Sequence, residues 1–157
     1  MSISKRARQF QALLDERGLD LTVVELPDST RTADDAARAL GCEKSQIVKS
    51  LVFRDTATGA PVMVLASGTN RVDERVVAKV LGSAIGKADA DFVKRVTGYS
   101  IGGVPPLGHK EELTLLVDED LLGFEETWAA AGTPHAVFKI PGRITAILPE
   151  HRVVAVK

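Results

Sequence analysis

Apolar residues fall at helical spacing near the start of the chain, with Ala7, Phe10, Leu13 and Leu14 set among charges and Gly18 following as a stop. This predicts an amphipathic helix over residues 4–17 whose stripe packs on a sheet. Leu21 to Leu26 reads as a strand closed by Pro27, and Asp28 to Arg31 as a polar loop. Thr32 is placed to cap a helix that Ala33, Ala36, Ala37, Ala39 and Leu40 carry to Gly41. From Gln46 to Arg54 both faces are apolar, Ile47, Leu51 and Phe53 on one and Val48 and Val52 on the other, as expected of a central strand. The TATGA stretch is a turn, and Pro61 to Ala66 is the antiparallel return.

Helices are expected over Asp73–Leu81 and Asp89–Val96, stopped by Gly82 and Gly98. Ser100 to His109 holds too much Gly and Pro for a regular element and reads as an ordered loop. A strand at Leu113–Val117, a short helix at Glu119–Trp128 and strands at Ala136–Ile140 and Val153–Val156 complete the pattern. Strands alternating with helices, one tight hairpin among them, predict a mixed α/β (α+β) fold. The expected architecture is a single domain over residues 1–157, with a central mixed, largely antiparallel sheet surrounded by helices. No internal repeat and no linker interrupts it.

Composition narrows the classes. The chain is 45% apolar and 26% charged over 157 residues, the balance of a globular domain able to bury a core without metals or disulfides. Its longest apolar runs, Val62–Ala66 and Val153–Val156, are far below the ~20 residues that span a bilayer. Lys5, Arg6 and Arg8 are not followed by the greasy stretch of a signal peptide. A lone Cys42 agrees with a reducing compartment, so a cytoplasmic location without membrane contact is expected. The formal net charge of -1 provides no global field for a polyanion, so nucleic-acid contact has to be local. Scattered basics such as Arg71, Arg75 and Lys79 could supply it, or could be no more than a solvated helix face. His109, His135 and His151 show no metal-ligand spacing, and no metal site is expected.

Four features could carry chemistry. Lys49 shares a strand face with Ile47, Leu51 and Phe53, so two-residue periodicity points an ammonium where an apolar side chain is expected. A buried ammonium persists when it is paired or meets a ligand in a cavity, whereas at an exposed strand end it would only snorkel. The pattern leaves both open. Gly102-Gly-Val-Pro-Pro-Leu-Gly-His109 combines glycines that admit close backbone approach with prolines that fix the path, which suits ligand capture or a structural turn. The related GxxxxGHK from Gly103 lacks the ending of a phosphate-binding loop, and its prolines remove two amides. Gly98-Tyr-Ser-Ile-Gly102 matches the GxSxG elbow of serine hydrolases, yet Ser100 follows a helical pattern instead of a strand. Finally, Ala129 to Ala136 sets small residues before a strand, where they could wall a small pocket with His135 at its rim, or form a plain turn.

IVKSLVF around Lys49, LASGTNRVDERVVAKVLG, GGVPPLGHK and the small-residue stretch ending AVFKI occur together, in order, across most of the chain. In this the sequence resembles the YbaK-like aminoacyl-tRNA deacylases, relatives of the editing domain of bacterial prolyl-tRNA synthetase. The resemblance implies hydrolysis, in trans, of the ester joining a wrong amino acid to the 3′-terminal adenosine of tRNA. A substrate hydroxyl or thiol would assist, and neither a metal nor an organic cofactor would take part. Its partners would be the acceptor end of aminoacylated tRNA and prolyl-tRNA synthetase or another synthetase.

By the same resemblance Lys49 anchors or polarises the ester, with Gly102 and Gly108 beside it in catalysis. Gly103, Val104, Pro106, Ser50 and His135 contact substrate. In a regular strand Ser50 faces away from Lys49, so a shared pocket requires a twist or bulge. AAAGTPHAVF is similar to small-pocket members that edit alanine, whereas other relatives carry a glycine-rich basic segment there. Alanine on tRNAPro is the first expected substrate and cysteine the second. Two other classes stay open, a non-catalytic module that binds tRNA or a synthetase, and a serine esterase using Ser100.

Overall fold

The computed structural model describes residues 4–30 and 32–157. Arg31, the last residue of the expected polar loop, lies outside the described residues. Among those described, four α-helices, α1 (Lys5–Glu16), α2 (Ala33–Leu40), α3 (Glu74–Leu81) and α4 (Ala90–Thr97), form where the apolar spacing places them. Each is capped by the side chain of the residue before it, Ser4, Thr32, Asp73 and Asp89 respectively, which accepts a hydrogen bond from a first-turn amide. Among the described residues no helix is long and apolar enough to cross a membrane.

The described strands divide between two sheets: β1 (Val23–Glu25), β2 (Val48–Asp55), β3 (Pro61–Ser67), β4 (Ile85–Lys87), β5 (Thr114–Asp118), β6 (Glu126–Ala130), β7 (Ala136–Pro141) and β8 (Arg152–Val154). The larger sheet runs β4-β2-β3-β5-β8, antiparallel as far as β3 and parallel from there to β8. The smaller, β1-β7-β6, is wholly antiparallel. The mixed α/β expectation therefore holds, with the strands shared between two layers.

Apolar alternation explains the layering. Met63 and Leu65 of β3, with Leu115 and Val117 of β5, point into the main core, where Phe138 and Ile140 of the small sheet and Phe10 and Leu14 of α1 meet them. Val62, Val64 and Ala66 point the other way, onto Val77 of α3. A strand covered on both faces has to be apolar throughout, which is why β3 carries the longest greasy run in the chain.

Two expectations change. The helix expected over Glu119–Trp128 is a 3₁₀ turn at Glu119–Gly123 followed by strand β6. Thr127 and Ala129 are buried between half-exposed neighbours, a two-residue period that a helical reading overlooks. The last strand ends at Val154, because Val156 leaves the ladder to pack beneath α3, where its carbonyl accepts the Asp73 amide at 2.7 Å. β4 is too short to leave a periodic signal in the sequence.

The Gly-Pro loop is pinned rather than free. Val104 and Leu107 plug into the main core, Gly103 carbonyl accepts from the Gly132 amide at 3.0 Å, and the Lys110 and Glu111 amides donate to the end of α4. Gly103 is needed for proximity, since a Cβ there would lie 2.8–2.9 Å from the Thr133 backbone. Gly103→Ala is expected to destabilise the fold by about 1–3 kcal/mol, read as a lowered urea midpoint with an unchanged m-value.

Candidate functional site

One strand of the large sheet is left partly unpaired. β3 zips along β2 from Val48 to Arg54, but on the other side β4 covers only Phe53–Asp55 and a single bridge joins Ile47 to Trp128. Between them the open edge of β2 faces a cavity of about 430 Å³. Thr30 and the first turn of α2 form one wall, Trp128, Ala129, Ala130 and Val137 of the small sheet another, and Ile101, Gly102 and Val104 of the Gly-Pro loop a third. Gly68, after β3, completes it. The expected small-residue wall is thus present in Ala129 and Ala130.

Lys49 and Ser50 both line this cavity. No bulge is needed, because the β2–β3 register is continuous. A cavity lying along a strand edge receives side chains from both faces. Lys49 is half-buried, and its Nζ donates to the main-chain carbonyl of Asn70. Burial pushes its pKa below the usual lysine range, the Lys44 ammonium adds to that, and the Asp118 carboxylate opposes it. Lys44 also lines the cavity, paired with Asp34 at 3.2 Å. The Ser50 hydroxyl oxygen is buried and has no hydrogen-bond partner among the described residues. Its donor and its acceptor capacity are both unused. Gly102 has φ +93°, a conformation that side chains resist, so its backbone meets the cavity uncovered.

Other expected residues are elsewhere. Gly103 and Pro106 are buried behind the cavity wall and support the loop. Gly108 lines a separate cavity of about 690 Å³ with His109 and His151, and a Cβ on it would come 2.6 Å from Leu13 Cδ1. Its place is packing against α1. His135 is exposed and absent from the cavity lining, a correction to its expected role. Its backbone is used instead, the carbonyl accepting from the Leu26 amide at 2.7 Å and the amide donating to Thr133 Oγ1 at 3.1 Å, which fixes this turn against the strand edge. Ser100 is exposed after α4, outside the cavity lining, and bonds no histidine among the described residues. Burial raises the pKa of the Cys42 thiol, so it is not a ready thiolate. Among the described residues no group of three or more His, Cys, Asp or Glu side chains gathers to hold a metal ion.

Three residues behind Lys49 are not among the expected site residues, although two of them, Gly68 and Asn70, lie within the LASGTNRVDERVVAKVLG segment. Gly68 is buried where a Cβ would meet the Lys44 carbonyl at 2.2 Å. Asn70 (7% exposed) and Asp118 (1% exposed) form a polar knot beneath the ammonium, with Asn70 Nδ2 donating to Asp118 Oδ2 at 2.7 Å. The signal that could have found Asp118 is its place as an acid ending the otherwise apolar strand β5.

Comparison with known proteins places this architecture. A family model described as an aminoacyl-tRNA editing domain matches residues 27–145. A solved structure provisionally described as a trans-editing enzyme for prolyl-tRNA synthetase superposes with a TM-score of 0.92 at 44% identity, over 99% of each chain. A proline–tRNA ligase of Limosilactobacillus fermentum is 41% identical over 96 residues, 59% of this chain but 17% of the ligase. A protein of Enterococcus faecalis, provisionally named a Cys-tRNA(Pro)/Cys-tRNA(Cys) deacylase, is 29% identical over 102 residues, 64% of this chain and 62% of that one.

An unpartnered buried hydroxyl is a cost to the empty protein. Ser50→Ala should leave stability unchanged or raise it by up to about 1 kcal/mol, measured by urea unfolding, whereas a loss of more than that would show a hydrogen bond at Ser50 in the folded state.

Proposed function

The chain belongs to the aminoacyl-tRNA editing domain family, and from that premise we propose that it is a trans-editing deacylase. It hydrolyses the ester of a mischarged tRNA to free amino acid and tRNA with a 3′-hydroxyl. The observation that carries this reading is a half-buried ammonium and an uncovered glycine backbone meeting in one cavity at an open strand edge. Attack of water on an ester carbonyl builds negative charge on its oxygen. A fixed cation and backbone dipoles in a partly dry site stabilise that charge more than they stabilise the neutral ester.

In this reading the terminal adenosine enters the cavity with its ester at Lys49. Ser50 satisfies its hydroxyl on the substrate, and the Gly102 and Val104 segment bounds the aminoacyl group. Gly103, Pro106 and Gly108 act one step back, by holding the loop in place. Among the described residues no serine or threonine lining the cavity is hydrogen-bonded to a lysine, histidine or carboxylate side chain, so the proton of the attacking water is relayed by a hydroxyl of the substrate beside the ester to the departing 3′-oxygen, which leaves as the 3′-hydroxyl.

Ala129 and Ala130, with Val137, favour a small aminoacyl group, alanine before cysteine, carried on tRNAPro. Residues 1–157 then act as one editing domain in the cytoplasm, where charged tRNA and prolyl-tRNA synthetase are met.

The test is a panel of Ala-, Cys- and Ser-tRNAPro incubated with the protein and its variants. Loss of amino acid from one ester is expected, with Lys49→Ala about 10²–10³-fold slower and Ser100→Ala within twofold of wild type. Loss of turnover in Ser100→Ala with Lys49→Ala active would instead establish a serine esterase. Binding of tRNA with no turnover of any ester would leave a non-catalytic module.

A further inference from the structure

Lys49 does not stand alone. Its carbonyl partner belongs to Asn70, and every polar atom of Asn70 is engaged. The amide donates to the Ser67 carbonyl at 2.9 Å. Nδ2 donates to Asp118 Oδ2 at 2.7 Å and to Asp120 Oδ2 at 2.8 Å. Oδ1 accepts from Lys157 Nζ at 3.2 Å. Asp118 in turn accepts the Ser67 amide on Oδ2 at 3.0 Å and the Asp120 amide on Oδ1 at 2.9 Å. One buried carboxylate thus ties the end of β3, the turn after it and the 3₁₀ turn after β5 into a single unit. That unit presents one carbonyl oxygen to the ammonium.

We propose that Asn70 and Asp118 are positioning residues for Lys49: Asp118 locks the 67–70 turn through Asn70, so that the Asn70 carbonyl orients the ammonium toward the open edge of β2. The proposal rests on the reading of Lys49 as the group that meets the ester, and it adds two residues that touch no substrate. A fold-stabilising role alone would not demand it. A buried aspartate could cap the 3₁₀ turn without Asn70 between it and the lysine.

The charges around the ammonium are identified. Lys44, from the 3₁₀ turn Lys44–Gln46 before β2, disfavours the protonated form and is itself paired with Asp34 of α2. Asp118, from β5, favours it. Asp120 and Lys157 meet each other at 3.3 Å on the far side of Asn70, largely offsetting one another. Removing the Asp118 charge leaves burial and Lys44 unopposed. The lysine then loses its proton at lower pH. If the charged form is the active one, activity present at neutral pH is lost as pH rises through the folded pKa, and that alkaline limb moves down in Asp118→Asn.

The experiment is an NMR titration of the full chain labelled with ¹³C-lysine, in which the Lys49 signal is identified by its absence in Lys49→Arg. Asp118→Asn should lower the Lys49 midpoint by at least about half a pH unit. Asn70→Ala, in a chain that still gives a native amide spectrum, should also lower it, and either variant should slow deacylation about tenfold or more. In a Lys49→Ala background neither should slow the residual rate further. Midpoints unmoved in the folded variants would overturn the proposal and leave the knot purely structural. Where Asp118→Asn does not fold, Asn70→Ala and Asn70→Ser decide by the same readout. No substrate is present in the titration, so its result for the positioning pair stands even if every ester proves inert.

Discussion

An ammonium placed half out of water, between two apolar layers, is the constraint around which the rest of this site is arranged. Desolvation disfavours the charged form of Lys49, and dipoles and counter-charge around it oppose that cost. The Asn70 carbonyl answers it directly and the Asp118 carboxylate through space. Both need the turn after β3 to pass close to the 3₁₀ segment that leads into β2, and Gly68 is the residue whose missing side chain allows that approach. The site is therefore built mainly from the large sheet, with the loop and the small sheet supplying walls.

The open edge of β2 is the second requirement. Had β4 extended along the whole strand, the backbone between Val48 and Val52 would be zipped shut and no cavity would separate the two sheets there. An exposed edge is ordinarily a liability for pairing with other chains. Here it is recessed between α2, the Gly-Pro loop and Trp128, which leaves room for a small ligand. The same geometry puts Lys49 and Ser50 to use together although they leave the strand on opposite faces. A cation and an unsatisfied hydroxyl line the same pocket as the small apolar side chains of Ala129, Ala130 and Val137, so that a polar ester and a small aminoacyl group find complementary contacts in one space.

Much of this is legible in the order of residues because the relevant signals are local. Capping residues, stop glycines and two-residue alternation mark α1 to α4, β2 and β3, and the misplaced charge of Lys49 follows from alternation alone. The Gly-Pro loop can be recognised as ordered, and Gly102 and Val104 do reach the cavity. What is not legible depends on distance in the chain. Gly103, Gly108 and His135 look alike as small or polar loop residues, yet the first two are chosen by contacts with Thr133 and Leu13, and the third turns to solvent. Asn70 and Asp118 are 48 positions apart and acquire meaning only when β3 and β5 lie side by side. The first half of β6 is absorbed into the helix expected over Glu119–Trp128 until the alternation of Thr127 and Ala129 is given weight.

The central claim is that the ester is bound at the open edge of β2, against Lys49. Its most direct test is amide chemical-shift mapping with a stable amide analogue of 3′-alanyl-adenosine, in which nitrogen replaces the ester oxygen. Binding at that edge predicts perturbations concentrated at Lys49, Ser50, Ile101, Gly102 and Trp128, with saturable binding that Lys49→Ala weakens. Perturbations confined to the other large cavity, around Gly108, His109 and His151, with binding indifferent to Lys49→Ala, would contradict it.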